Sequence, residues 1–149
     1  NDERRENLIN TFNKLFEFGA IPVINENDSV AVEEIVYGDN DSLSAIVAKL
    51  VNADALIILS DIDGLYDSNP NENEDAKLIP LVTEIDEDLY KIAGGKGSSL
   101  GTGGMVTKLH AAEITMAAGI DTIVMNGENP TEIYKALDGK QVGTFFKGK

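Results

Sequence analysis

Ala55-Leu56-Ile57-Ile58-Leu59-Ser60-Asp61-Ile62-Asp63-Gly64 is the stretch whose reading decides the fold. Ala55 to Leu59 is an unbroken apolar run of strand length. An apolar run without alternation is expected of a central strand of a parallel sheet, covered on both faces by helices. Ser60-Asp61-Ile62-Asp63-Gly64 then marks the C-terminal end of that strand.

Upstream, Gly38-Asp39-Asn40-Asp41 punctuates the chain. Asp39 or Asn40 can cap a helix that carries Leu43, Ile46, Val47, Leu50 and Val51 on its apolar face. Val30 to Tyr37 reads as an irregular hairpin. Ala20 to Ile24 is a second short apolar run, read as a strand, followed by the polar Asn25-Glu26-Asn27-Asp28-Ser29. Residues 3–18 set Leu8, Ile9, Phe12, Leu15 and Phe16 at helical spacing, with Asp2 as cap and Gly19 as stop.

Downstream, residues 67–77 form a solvated loop and Asp86 to Ala93 a short helix. A glycine-rich stretch runs from Gly94 to Gly104. Met105 to Ala118 is a helix with Leu109, Ala112 and Met116 inward, stopped by Gly119. Asp121 to Met125 is a strand, Pro130 to Leu137 a helix and Val142 to Phe146 a terminal strand. Strands alternating with helices predict an α/β fold, a three-layer αβα sandwich with a mostly parallel central sheet. Residues 1–149 read as one domain, with no internal repeat and no linker. Ligands gather at the C-terminal strand ends of such sheets. The polar clusters after Ile24 and Leu59 fall there.

Composition narrows the function. The chain has 149 residues and no cysteine, which excludes disulfides and thiolate metal sites and points to a reducing cytoplasm. A single histidine, His110, excludes a zinc site built on two. No apolar run reaches the roughly 20 residues of a membrane span, and no signal peptide is evident. A formal charge of −14 argues against nucleic acid or an anionic membrane as partner. An anionic substrate would then need a locally positive site made of a few lysines, backbone N–H groups and a divalent metal.

Gly101-Thr102-Gly103-Gly104-Met105-Val106-Thr107-Lys108 supplies such elements. Its glycines let the backbone approach a ligand, and they open a helix whose N-terminal N–H groups favour an anion. Lys108 lies one turn into that helix, where the dipole does not help a cation. A lysine there suits a phosphate better than it suits stability. The bland alternative is a flexible loop before a core helix. The stretch is not a Walker P-loop: Gly95-Lys96 is followed by Gly97 rather than Ser or Thr. Gly38–Asp41 has helix capping as its plain reading, and Asn25–Asp28 a solvated turn. Together with Ser60-Asp61 they make three polar clusters. Asp67 to Asn71 opens like a calcium loop, but Glu72 stands where Gly is required and Leu78 where Glu is. His110 reads as structural.

Four motifs carry a resemblance. Pro22-Val23-Ile24-Asn25-Glu26-Asn27-Asp28, Gly38-Asp39-Asn40-Asp41-Ser42, Asp61-Ile62-Asp63-Gly64-Leu65-Tyr66 and Gly101 to Lys108 resemble, in order and spacing, the glutamate 5-kinase family of the amino acid kinase superfamily. The likeness runs through Gly143-Thr144-Phe145-Phe146. The G-T-G-G-M-x-T-K stretch is shared more widely, uridylate kinases included, whereas the N-E-N-D and G-D-N-D pair points to glutamate.

The resemblance implies an amino acid kinase-like fold and ATP-dependent phosphorylation of the L-glutamate side-chain carboxylate, the first step of proline synthesis. It implies Asn25, Asp28 and Asn40 near glutamate. It sets Ser60, Asp61, Thr102, Gly103, Gly104, Met105, Val106, Thr107 and Lys108 around ATP. Lys108 and Asp41 are the implied catalytic pair, with Asp41 organising the lysines and Mg²⁺ bound through ATP rather than by protein ligands. Proline feedback is common in the family. The resemblance also places a first strand, a glycine-rich phosphate loop and a second lysine upstream of Asn1. This chain would then be the C-terminal, nucleotide-binding portion of its domain, weakly active or inactive alone and prone to homo-oligomerise. The competing readings are a non-catalytic nucleotide- or amino-acid-binding module, and a superfamily kinase acting on a nucleotide or aspartate.

Overall fold

The computed structural model describes residues 2–25, 39–94 and 103–149. In chain order the elements are α1 (Asp2–Glu17), α2 (Asn40–Leu50), β1 (Ala55–Ser60), β2 (Leu81–Val82), α3 (Glu87–Ile92), α4 (Gly103–Ala117), β3 (Asp121–Asn126), α5 (Glu132–Leu137) and β4 (Thr144–Phe146). The sheet order is β1-β3-β4-β2. β1 runs parallel to β3 and β2 parallel to β4, while β3 and β4 are antiparallel. The result is an α/β fold on a mixed sheet in which two of the three pairings are parallel.

Local chemistry sets the element ends. Asp39 caps α2: its Oδ1 accepts the Ser42 N–H at 2.6 Å and its Oδ2 the Ser42 hydroxyl at 3.0 Å. Asp86 caps α3 in the same way, through the Leu89 N–H at 2.8 Å. α4 stops at Gly119, whose φ of +77° allows the Ile120 N–H to reach back to the Thr115 carbonyl at 3.0 Å.

α2 packs along α4, with α2 also against β1 and α4 against β3. Ala45, Ile58, Leu109, Ala112, Val124 and Phe146 form the buried centre of this assembly. The 66–78 excursion is closed by an antiparallel bridge between Tyr66 and Leu78. It is anchored to the sheet by Thr144, which is fully buried. The Thr144 hydroxyl accepts the Leu65 N–H at 2.8 Å and donates to the Ile79 carbonyl at 2.8 Å.

The structure departs from the sequence reading in several places. Ala20–Ile24 forms no strand, and Ile21 and Val23 are 89% and 96% exposed. Apolar, β-branched residues favour a strand only when a neighbour takes up the backbone and side chains, and no described residue pairs with this segment. β1 is not central: it lies at one end of the described sheet, and Leu59 is 45% exposed. β2 was not expected, because two residues carry no periodic signal. The terminal strand begins at Thr144 rather than Val142, since Gly143 turns with φ +62° against the Val124 carbonyl. Asp2 is the first residue of α1 rather than its cap. The hairpin expected at residues 30–37 and most of the glycine-rich stretch lie outside the described residues.

Candidate active site

The two motifs singled out by sequence meet at the starts of α2 and α4. Asp41 is in the first turn of α2, and Lys108 lies one turn into α4. Lys108 Nζ is 3.1 Å from Asp41 Oδ2, with the two side chains only 13% and 19% exposed. The Thr107 hydroxyl reaches the same carboxylate oxygen at 2.7 Å. Both donors also approach the Gly104 carbonyl, Thr107 Oγ1 at 2.9 Å and Lys108 Nζ at 3.2 Å. Helical side chains lean toward the N-terminus, so the Lys108 stem carries its ammonium back over the opening turn of α4. An ammonium has three N–H donors. Asp41 and Gly104 take two, and no other described residue accepts the third.

α2 also lines a cavity of about 500 Å³, together with Ile24 and Asn25, through Asn40, Leu43, Ser44 and Val47. Two of the residues expected near an amino acid, Asn25 and Asn40, therefore share one wall system. Asp28 and Thr102, together with Glu26, Asn27 and Gly38, lie outside the described residues. Gly103 to Val106 form the first turn of α4, with Met105 buried in the core.

Ser60 and Asp61 stand at the C-terminal end of β1, where the Ser60 hydroxyl donates to Asp61 Oδ1 at 3.1 Å. No hydrogen bond links them to Lys108 or Asp41 among the described residues. Sequence reasoning missed what braces this strand end. Asn126 pairs with Ser60 in the sheet register, and its side-chain amide donates to Asp63 Oδ1 at 2.9 Å. The Tyr66 hydroxyl donates to Asp63 Oδ2 at 3.2 Å. Burial, reinforced by the Asp63 carboxylate, raises the Tyr66 pKa. The available signal was an amide side chain one residue beyond the expected end of a parallel strand, where polar groups collect.

His110, on α4, places Nδ1 3.7 Å from Glu113 Oε2. The same carboxylate oxygen accepts the Tyr90 hydroxyl at 3.0 Å, joining α3 to α4. Burial first, then this hydrogen bond, pushes the Tyr90 pKa up to about 12.

The sequence profile described as the amino acid kinase family matches residues 1–126. The chain belongs to the amino acid kinase family. It is 53% identical over 153 residues to glutamate 5-kinase of Clostridium perfringens, covering 100% of this chain and 57% of that protein. It is 55% identical over 149 residues to glutamate 5-kinase of Listeria innocua, covering 97% of this chain and 54% of that protein. The chain thus spans about half the length of these relatives. The solved structure of UMP kinase from Bacillus anthracis superposes with a TM-score of 0.65 over 96% of this chain and 50% of that one, at 18% identity. That likeness concerns the fold alone, which is the fold the amino acid kinase family predicts. No helix among the described residues is long and apolar enough to cross a membrane.

Proposed function

We infer that this chain is the nucleotide-handling part of a glutamate 5-kinase, which transfers the γ-phosphoryl group of ATP to the side-chain carboxylate of L-glutamate. The observation that carries the reading is the contact between Lys108 and Asp41, 67 residues apart in sequence, at the opening of the helix whose Asn40 lines a cavity with Asn25. The high identity to two glutamate 5-kinases supports the choice of acceptor.

The chemistry suits the residues. A glutamate carboxylate has a pKa near 4.3 and is already ionised at neutral pH, so no general base is required. One carboxylate oxygen attacks the γ-phosphorus, an O–P bond forms, and the bond to the ADP oxygen breaks. Both reactants are anions, so positioning and charge neutralisation supply most of the rate. Lys108 offers its third N–H to the transferring group. The N–H groups opening α4 add a second positive element. Asn25 and Asn40 can hold the amino acid by hydrogen bonds, joined in the proposal by Asp28. Ser60 and Asp61 are proposed on the nucleotide side.

Mg²⁺ accompanies ATP in this reading. The cation is carried by the ATP phosphates and keeps several waters. When bound, the metal neutralises phosphate charge. The longer protein is proposed to be a cytoplasmic enzyme of proline synthesis, subject to proline feedback and assembled as a homo-oligomer, with this chain as the C-terminal portion of the kinase domain.

The test is glutamate-dependent ADP release by the full-length protein, with UMP and aspartate as alternative acceptors. Turnover with glutamate, lost by about 10²–10³-fold or more in Lys108→Met, is expected. Turnover with UMP or aspartate in its place would assign the chain to another acceptor.

A further inference from the structure

We propose that Thr107 is a positioning residue, whose hydroxyl sets Asp41 and, through Asp41, the ammonium of Lys108 for phosphoryl transfer. The inference rests on the kinase reading above and deepens it. By resemblance Thr107 falls among residues that surround ATP, yet its side chain is committed elsewhere. Its Oγ1 is 2.7 Å from Asp41 Oδ2, the oxygen that receives Lys108 at 3.1 Å.

A plainer explanation covers only half of this geometry. Threonine in a helix commonly turns its hydroxyl to the carbonyl three or four residues back. Gly104 is that carbonyl, at 2.9 Å. Back-bonding does not account for a shorter contact to a carboxylate on another helix, 66 residues away. Thr107 Oγ1 and Lys108 Nζ each lie within hydrogen-bond distance of both Asp41 Oδ2 and the Gly104 carbonyl, a ring of contacts in which the one hydroxyl proton has its shorter path to Asp41.

The ring assigns unequal tasks. A hydroxyl has one proton, and Thr107 is stiff at χ1, so its direction is set by the helix. Lys108 is a point charge on a flexible stem and cannot fix a carboxylate's rotation. With the hydroxyl in place, Asp41 is held from one side and its negative charge is divided between two donors. Without it, the carboxylate turns and pairs fully with the ammonium, drawing Lys108 away from the phosphoryl. A shift on the order of 1 Å at such a group costs roughly 10²-fold in rate.

The test compares Thr107→Val, which keeps the shape and removes the hydroxyl, with Thr107→Ser, which keeps the hydroxyl, in the full-length protein. Thr107→Val is expected to lower kcat by about 10- to 100-fold, the range of one hydrogen bond to a charged group, while KM and calorimetric Kd for ATP stay within about twofold. Thr107→Ser is expected to return most of the rate. A weakened ATP Kd with kcat retained would make the hydroxyl a nucleotide ligand and overturn the proposal. So would a serine variant as slow as the valine one, which would assign the effect to methyl packing. A readout without turnover separates this from the kinase reading. The NMR signal of the Lys108 ε-methylene, assigned by its loss in Lys108→Met, is expected to shift in Thr107→Val and hold in Thr107→Ser. If the wild type does not phosphorylate glutamate, the acceptor reading falls, while an unmoved Lys108 signal in Thr107→Val refutes the positioning role by itself.

Discussion

Removing the two charges of the Asp41–Lys108 pair one at a time should give unequal losses of stability. Asp41→Asn keeps the side-chain shape and an acceptor for Thr107 but leaves Lys108 without a counter-charge. That side chain is 13% exposed, with its ammonium folded over the opening turn of α4, where the helix dipole disfavours a cation by roughly 0.3–1 kcal/mol. Lys108→Met leaves Asp41 in the first turn of α2, where an acid is favoured, and still bonded to Thr107. The acid therefore tolerates the loss of its partner better than the base does.

The magnitudes follow from burial. Exposed pairs contribute about 0–1 kcal/mol, whereas breaking a fully buried pair costs about 3–5 kcal/mol. With side chains 13% and 19% exposed, the pair lies between these limits. We expect about 2 kcal/mol for Asp41→Asn and about 1 kcal/mol for Lys108→Met. The double variant should fall short of their sum by about 1 kcal/mol, since neither charge is then stranded. Urea denaturation of the four proteins at 25 °C reads these differences directly. A reversed order, with the lysine variant the weaker protein, would refute the dipole argument. Additivity within about 0.3–0.5 kcal/mol would refute the pair itself.

Two further outcomes concern the frame around the site. Thr144→Val strands the Leu65 N–H in a buried setting and the Ile79 carbonyl in a part-buried one, so we expect a loss of about 1–3 kcal/mol and faster amide exchange at Leu65; unchanged exchange there would show that Thr144 does not anchor the excursion. Tyr90, with a folded pKa raised to about 12 against an ordinary value of 10.0, favours its neutral form in the folded state. Its contribution is therefore whole below pH 10 and disappears as pH climbs toward 12. The ring is partly exposed, so solvent screening reduces the effect to about 1 kcal/mol. Tyr90→Phe should flatten that alkaline decline, and an identical decline in both proteins would place its cause elsewhere.

Much of this frame was legible in the sequence because its signals are local. Asp39 before an apolar-periodic run, Asp86 before another and the glycine after α4 each satisfy backbone groups within a few residues. The helices α2 and α4 and the strand β3 consequently fall within two residues of their expected bounds. The failures are those where the deciding partner is remote. Ala20–Ile24 has a strand's composition but no described neighbour to pair with. The apolar run of β1 suggested cover on both faces, yet its residues alternate between exposed, half-buried and buried. β2 exists only because Phe145 and Phe146 lie beside it. In the site, the residue types pointed to Asp41 and Lys108, but the part played by the Thr107 hydroxyl depends on a contact across 66 residues that no local pattern encodes.

The spacing of Asn40 and Asp41 shows why their order in the chain matters. Successive residues of an α-helix point about 100° apart. At the start of α2 this turns Asn40 toward the cavity it shares with Asn25, while Asp41 faces Lys108 and Thr107 on α4. One step along the helix thus separates a pocket wall from a charge clamp without any intervening element. Asp39, which caps the same turn through Ser42, fixes the rotation of both. The capping that a cautious reading assigns to this motif and the chemistry proposed for it are therefore one arrangement: an uncapped α2 would misdirect both side chains together.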